Sequence, residues 1–228
     1  PKRQDGKPLG DTFRTVAYTY ALRDAIADQY LVPLVARRVR IGDLDLASVK
    51  VVRGDLDQAE LARILTAEKQ LHAMVGPLVQ LAGDRKTLVF CVDVAHAKAV
   101  AEVLNRHRPG AALALDGAAS AAERRAAVDL FAKGAIQYLV NCALYTEGFD
   151  EPSVACVAML RPTLSWALYV QMIGRGTRLL GATYAESVAN GKRDCLILDL
   201  VGNSRHALIG PADALAGGPL AEDARQVA

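Results

Sequence analysis

The chain has 228 residues, of which 52% are hydrophobic and 23% charged, so it is long enough to enclose a sizeable apolar core. Its formal net charge is only +2, which neither identifies a nucleic-acid-binding protein nor excludes one whose basic residues are clustered. Because no apolar run is as long as a membrane span and no signal peptide begins the chain, we expect a cytoplasmic protein without membrane contact.

Residues 1–85 are predicted to be a helical and extended connection that precedes the main domain. Residues 14–30 carry apolar side chains at roughly helical spacing, which predicts a first helix. Residues 31–41 are predicted to be extended, and charged and apolar residues alternate from Arg38 to Ile41, as on a half-exposed strand. The arginines of this segment are basic enough to contact phosphate, but a solvated edge strand protected by its charges is the favoured interpretation.

The rest of this connection is predicted to contain two more helices. Residues 44–56 have little pattern, and Asp55 or Asp57 is placed to cap the helix that follows. A further helix is predicted from Glu68 to Leu81, ending near Gly83.

Residues 86–210 are predicted to form the main domain, in which strands and helices alternate. Five apolar runs fit strands that are buried on both faces, at residues 87–92, 111–115, 137–141, 154–160 and 194–200. Among the helices between them, Ser120 is placed to cap one, with Glu123 at the capping-box position, and Thr163 or Ser165 opens another. This alternation predicts an α/β fold, a doubly wound parallel sheet with helices on both faces. The Ala- and Gly-rich segment 211–228 is predicted to be a mobile tail.

The octet Gln171–Arg178 places two arginines three residues apart behind an apolar helical segment. Positions 171, 175 and 178 share one face of a helix, and two guanidinium groups placed in this way suit the binding of an anion such as a phosphate. Gly174 and Gly176 weaken the helix and are expected to end it there. Taken alone, the octet is equally compatible with a basic helix end that complements the helix dipole.

A second stretch, Asn141–Pro152, follows a predicted buried strand. Gly148 permits a close approach of the backbone to a ligand, and the Asp150 carboxylate accepts hydrogen bonds of the kind a ribose hydroxyl donates. An acidic turn stabilised by its own side chains is the alternative.

These stretches occur in an order that resembles the second, C-terminal, RecA-like motor domain of superfamily 2 helicases of the DEAD/DEAH type. The resemblance covers about residues 86–200 and rests on Thr87–Asp93, Leu115–Gly117, Glu123–Arg124, Thr146–Pro152, Arg161–Thr163 and the octet Gln171–Arg178. It is nearer to DNA helicases and restriction-enzyme motor subunits than to DEAD-box RNA helicases, which usually have His-Arg where this chain has Gln171-Met172.

The resemblance implies half of an ATP site. ATP and Mg²⁺ would be bound mainly by an N-terminal RecA-like lobe that precedes this chain, since no GxxxxGK[ST] loop occurs in it. Arg175 and Arg178 would be arginine fingers, and Gln171 would orient them or the attacking water. Gly148, Asp150 and Gly174 would contact the nucleotide.

The resemblance also implies contacts with nucleic acid, with DNA favoured over RNA. The positions concerned are Asp93, Gly117, Arg124, Cys142 and Thr146. Backbone amides are the better phosphate donors beside Asp93, because a carboxylate repels phosphate. Cys142 stands where related motors often have threonine.

The chain is therefore predicted to be the C-terminal motor lobe of an ATP-dependent helicase or translocase, inactive on its own. The alternative is a catalytically idle RecA-like module that binds nucleic acid or a protein. An ordinary cofactor-binding domain ranks last because no GxGxxG follows the first buried strand. The four cysteines form no CxxC pair, so we expect reduced core thiols and no metal site. His96 is expected to be a surface residue without a catalytic role.

Overall fold

The computed structural model of the chain describes residue 18 and residues 20–142, 150–203 and 208–217. The strands are β1 (Leu34–Asp45), β2 (Val51–Val52), β3 (Asp55–Leu56), β4 (Thr87–Phe90), β5 (Ala112–Leu115), β6 (Tyr138–Asn141), β7 (Cys156–Met159) and β8 (Cys195–Asn203). The helices are α1 (Leu22–Ala27), α2 (Gln58–Leu65), α3 (Glu68–Ala82), α4 (Val94–His107), α5 (Ala121–Ala132), α6 (Trp166–Gly174), α7 (Tyr184–Ala189) and α8 (Pro211–Ala216).

Six of these strands form one sheet in the order β1-β8-β7-β4-β6-β5, and every neighbouring pair in it is parallel. Alternate residues of a strand point to opposite faces, so Leu88 and Phe90 join one apolar cluster while Val89 and Cys91 join the other. Helices α2, α3 and α4 cover the second cluster, and α5, α6 and α8 cover the first. The predicted doubly wound parallel sheet is confirmed.

The sheet also contains a sixth strand from the predicted connection. Strand β1 pairs with β8 from Leu34 opposite Cys195 to Arg40 opposite Val201. It lies at the edge of the sheet with Arg37 and Arg40 exposed, as the alternation of charge predicted. The domain boundary after residue 85 stays a prediction, although hydrogen bonds of the sheet cross it.

Local capping signals are found at several helix ends. Asp57 accepts a hydrogen bond from the backbone N–H of Glu60 at 2.8 Å, so it is the cap of α2. Ser120 and Glu123 form the predicted capping box of α5. Of the two candidates for α6, Ser165 is the cap, since its hydroxyl accepts from the N–H of Leu168 at 3.3 Å.

Near the chain ends, the first helix differs in extent from the prediction, and a helix lies at the start of the predicted tail, whose mobility stays a prediction. The first helix covers only Leu22–Ala27, and Gln29 soon after it has a positive φ of 62°, which no α-helix accommodates. The segment predicted to be a mobile tail begins with helix α8, because Pro211 starts the helix and Asp213 accepts from the N–H of Gly210 at 2.7 Å. Among the described residues, no helix has both the length and the apolar character needed to cross a bilayer.

Candidate functional site

The arginine turn, defined as residues Arg175–Arg178, follows directly after α6. The helix ends at Gly174, which confirms that the glycines stop it, and Arg175 is its C-cap residue. The hydroxyl of Thr177 donates to the carbonyl of Gly174 at 2.9 Å and tightens the turn. Gln171 lies half-buried in the last turn of the helix. Because the helix stops before Arg178, the turn places this arginine, and the predicted helical face does not extend to it.

The position of the turn is fixed by Gly176. A Cβ atom at this residue would lie 2.3 Å from Sγ of Cys195 and 2.9 Å from Cγ2 of Val157, so only glycine fits there without a shift of its neighbours. The carbonyl of Thr177 also accepts a hydrogen bond of 2.8 Å from the N–H of Val32, two residues before β1. The arginine turn therefore packs beside the amino ends of β1, β7 and β8.

Arg178 and Asp150, which the sequence assigned to two different stretches, form an ion pair between Nη1 and Oδ1. The side chains are 40% and 63% exposed, so water screens the pair and it is easily exchanged for another anion. A Cβ atom at Gly174 would meet nothing within 4 Å, so the space beside that residue is open. Gly148 and Thr146, also predicted to be site residues, lie outside the described residues.

The carboxyl edge of the sheet carries the other predicted site residues, beginning with Asp93 and Cys142 after the neighbouring strands β4 and β6. The Asp93 carboxylate accepts from the N–H of His96 at 2.7 Å and caps α4. This helix-start amide is therefore already occupied. The thiol of Cys142 donates to the carbonyl of Val92 at 3.2 Å. Burial raises the pKa of this thiol, although the charge of Arg161 acts in the opposite direction.

His96 is fully buried, so its predicted surface position was wrong. Its Nδ1 accepts from the N–H of Val92 at 3.4 Å, and burial lowers its pKa from 6.5 to about 4. The imidazole is thus neutral at pH 7 and serves the packing at the start of α4.

Gly117 and Arg124 lie together after β5. The guanidinium of Arg124 folds back on this turn, where Nε donates to the carbonyl of Ala119 at 2.9 Å and Nη2 to that of Gly117 at 3.1 Å. Part of its hydrogen-bonding capacity therefore stabilises the loop.

The segment from Cys142 to Ala155 connects the two edges of the sheet. It starts at the carboxyl end of β6, and its described part begins again at Asp150, which pairs with the arginine turn beside the amino ends. Near its end, the carbonyl of Pro152 accepts a hydrogen bond of 2.6 Å from Nζ of Lys192. Lys192 is only 2% exposed, and burial lowers its pKa to about 8. No sequence pattern indicates this contact, because an isolated lysine 40 residues away belongs to no motif.

Arg161 is the second residue that sequence reasoning left without a role. Its side chain is only 9% exposed, and its Nη2 lies 3.8 Å from Oδ2 of Asp55. Asp55 also accepts hydrogen bonds from Thr163 and Leu164, next to the start of α6. The sequence indicated Asp55 only as a possible helix cap, a role that belongs to Asp57.

Comparisons with known proteins show what the chain is similar to. Residues 67–179 match the family of the helicase conserved C-terminal domain. A Schizosaccharomyces pombe protein described as a mitochondrial ATP-dependent helicase, irc3, is 36% identical over 217 residues, which are 94% of this chain and 34% of that protein. A Saccharomyces cerevisiae protein described as an ATP-dependent helicase, IRC3, is 27% identical over 206 residues, covering 89% of this chain and 28% of that protein. The chain thus spans about a third of the length of these relatives.

A solved structure shares the fold. It is a fragment described as an HsdR subunit of a type I restriction enzyme from Vibrio vulnificus YJ016, with a TM-score of 0.67 and 24% identity. The likeness covers 88% of this chain and 38% of that one. The sheet is therefore RecA-like, as the motif order predicted.

Proposed function

Since the chain carries the conserved C-terminal domain of a superfamily 2 helicase, we propose that it is the C-terminal motor lobe of an ATP-dependent helicase or translocase. One observation supports this function best. Arg178 and Asp150, which lie 28 residues apart in sequence, are brought together by the fold and present a cation and an anion at one half-exposed surface.

At this surface, Arg175 and Arg178 are proposed to stabilise the charge that develops on the γ-phosphate of ATP. Phosphoryl transfer leaves negative charge on the equatorial oxygens, and a positioned guanidinium neutralises it. Gln171, one turn before the arginines, is proposed to orient them or the attacking water. Asp150 would exchange Arg178 for a ribose hydroxyl when the nucleotide binds, with Gly148 and Gly174 beside it.

ATP and Mg²⁺ are proposed to be bound mainly by an N-terminal RecA-like lobe. The open space at Gly174 and the exchangeable Arg178 pair fit a nucleotide that approaches from outside the lobe. Among the described residues, no group of three or more His, Cys, Asp or Glu residues is placed to hold a metal ion. The two lobes would therefore share one composite site.

Nucleic acid, with DNA favoured, is proposed to bind along the carboxyl edge of the sheet. The positions are Asp93, Gly117, Arg124, Cys142 and Thr146. The amide of His96 is bound to Asp93, and those of Ala118 and Ala119 are bound to Asp116, so the guanidinium of Arg124 is proposed as the phosphate donor after β5. The half-buried thiol of Cys142 is a poor substitute for a threonine hydroxyl, so we expect little contribution from its side chain.

The segment between Cys142 and Asp150 is proposed to couple the two sites. One end follows β6 at the nucleic-acid edge, and the other pairs with Arg178 at the nucleotide surface. A change at either end therefore has a covalent path of a few residues to the other, which suits a motor in which nucleic acid controls ATP hydrolysis.

The test is ATP hydrolysis by the complete gene product, with and without single-stranded DNA or RNA. Arg175→Ala and Arg178→Ala should each lower the stimulated kcat by at least about 100-fold, because a supplied arginine contributes about 10³–10⁵ in related phosphoryl transfers. The matched control is Arg106→Ala. Like Arg178, Arg106 is half-exposed and paired with a carboxylate, Glu102 at 2.8 Å, but it lies in the last turn of α4 and has no proposed role.

The outcomes separate the alternatives. If both arginine variants keep the stimulated rate of the wild type, the arginine-finger assignment is wrong. If the wild type binds nucleic acid but hydrolyses no ATP, the chain belongs to a catalytically idle module. Stimulation by RNA and not by DNA would reverse the proposed preference.

A further inference from the structure

Helix α6, which ends at the arginine turn, begins in a turn that a distant residue holds. Asp55 Oδ2 accepts a hydrogen bond of 2.8 Å from the hydroxyl of Thr163, and Oδ1 accepts one of 2.7 Å from the N–H of Leu164. The Thr163 oxygen in turn accepts from the N–H of Ser165, the helix cap, at 2.9 Å. A single carboxylate thus fixes the three residues that lead into α6.

Asp55 is itself held firmly. It is the first residue after the tight turn of the β2–β3 hairpin, in which Arg53 and Gly54 have positive φ angles of 53° and 83°. The hairpin is closed by the pairing of Asp55 with Val52 and by a 2.8 Å bond from the N–H of Asp57 to the carbonyl of Lys50. The hairpin therefore fixes the backbone of Asp55, and the N–H of Leu56, which donates to Oδ1 at 2.9 Å, orients the carboxylate.

Asp55 also compensates the buried charge of Arg161. The two side chains are only 22% and 9% exposed, and Nη2 of Arg161 lies 3.8 Å from the carboxylate. A buried guanidinium without an anionic neighbour is strongly unfavourable. The contact therefore ties the carboxyl end of β7 to the hairpin, on the side of the sheet where nucleic acid is proposed to bind.

Helix α6 connects the residues that Asp55 holds to the arginine turn. It has nine residues, so it is roughly 14 Å long and short enough to move as a rigid rod. Its start lies beside Asp55, and its end is the arginine turn at the opposite edge of the sheet. Because Gly176 anchors the end of the helix, a shift of its start tilts α6 about this end and reorients the guanidinium groups of Arg175 and Arg178.

We propose that Asp55 is a positioning residue of the ATP site. Through Thr163 and Leu164 it fixes the start of α6 and thereby the placement of Arg175 and Arg178. This inference rests on the proposed function, and it makes the hairpin of residues 51–56 part of the motor lobe and more than a connection.

The experiment compares two residues of the same segment. Asp55→Ala removes the link to α6, whereas Asp57→Ala removes only the cap of α2. Thr163→Val removes the same link from the other side, and Thr163→Ser retains the hydroxyl. Nucleic-acid-stimulated kcat and KM for ATP are measured on the complete gene product, together with hydrogen exchange of residues 160–172.

We expect Asp55→Ala and Thr163→Val to lower kcat by at least about 10-fold, because small misplacements of a catalytic group cost up to about 100-fold. The KM for ATP should change little, since the other lobe is proposed to hold the nucleotide. Hydrogen exchange at the start of α6 should accelerate in these two variants. Asp57→Ala and Thr163→Ser should resemble the wild type in kcat and in this exchange.

If Asp55→Ala and Thr163→Val keep the kcat of Asp57→Ala, the inference is wrong. Should Asp55→Ala fail to fold because Arg161 loses its partner, the comparison of Thr163→Val with Thr163→Ser decides. A wild-type protein that hydrolyses no ATP would instead refute the proposed function, and this inference would fall with it.

Discussion

Gly176 is the residue on which the placement of the arginine turn depends most directly. A methyl group there would overlap the buried side chains of Cys195 and Val157. We expect Gly176→Ala to lower the free energy of unfolding by about 1–3 kcal/mol, since overpacking of a tight core has that cost. Chemical denaturation of the 228-residue chain measures it.

Gly174→Ala is the matched control for this prediction, because a Cβ atom at Gly174 meets nothing within 4 Å. Alanine also favours the helix end by up to about 1 kcal/mol, so this variant should be at least as stable as the wild type. Equal stability of the two variants would show that the turn does not pack against β7 and β8 as described.

Two buried groups titrate in the same pH range with opposite effects on stability. Burial lowers the pKa of His96 from 6.5 to about 4, so folding loses stability as pH falls through this range. Burial raises the pKa of Asp199 from 3.8 to about 6, although Arg38 lies 3.0 Å away, so folding loses stability as pH rises through this range. In the wild type the two effects partly cancel.

Single substitutions should therefore separate the two effects. In His96→Gln, the free energy of unfolding should rise on acidification from pH 6.5 to 4 relative to the wild type, and in Asp199→Asn it should fall. Each difference is on the order of 3 kcal/mol, because one pKa unit corresponds to about 1.4 kcal/mol. Urea denaturation at several pH values measures both, with His72→Gln, at a half-exposed histidine, as the control. Parallel pH profiles of the three variants would contradict the assignment.

At the scale of single residues, the sequence identified side chains that a motif contains, but not those that support the motif from elsewhere. Asp150 and Arg178 were both predicted to be at the nucleotide, and the structure pairs them. Asp55 reaches Thr163 from 108 positions away, and such a contact depends on how the whole chain folds. No local pattern encodes it.

The ends of helices could be predicted where the residues that cause them lie within one helical turn. The pair Ser120 and Glu123 predicted the start of α5, and Gly174 and Gly176 predicted the end of α6. The first helix is shorter than apolar spacing alone predicted, since Gln29 has a positive φ just after its end. Its N-cap residue, Ala21, makes no side-chain hydrogen bond.

Helix α6 runs from the carboxyl edge of the sheet to the amino ends of β7 and β8, and Asp150, eight residues after Cys142, pairs with Arg178 beside those amino ends. Of the described residues, those predicted for the nucleotide (Arg175, Arg178 and Asp150) and those predicted for nucleic acid (Asp93, Gly117 and Cys142) therefore lie at different edges of the sheet. The direction of each helix or loop decides at which edge of the sheet a motif lies. The order of the motifs along the sequence does not specify this direction.

At the scale of the molecule, the fold class followed from alternating apolar runs, but the extent of the sheet did not. Five of the twelve residues of β1 are charged, and four elements outside the six-stranded sheet follow it before β4, so its sequence fits a connection as well as a strand. Its partner β8 comes 161 residues later, at Arg38 opposite Asp199. Only the tertiary fold joins them.

Truncation at the predicted domain boundary tests whether residues before 86 belong to the cooperative unit. A chain of residues 86–228 lacks β1, α2 and α3. It would leave the backbone edge of β8 unpaired and uncover the face of the sheet on which Met74, Val75 and Leu78 are fully buried. We expect this chain to lose cooperative thermal unfolding or to aggregate.

A chain that begins at Tyr30 retains β1, α2 and α3 and should unfold cooperatively. If residues 86–228 instead unfold in one transition at the midpoint of the full chain, the earlier elements are a separable connection and the boundary after residue 85 is correct.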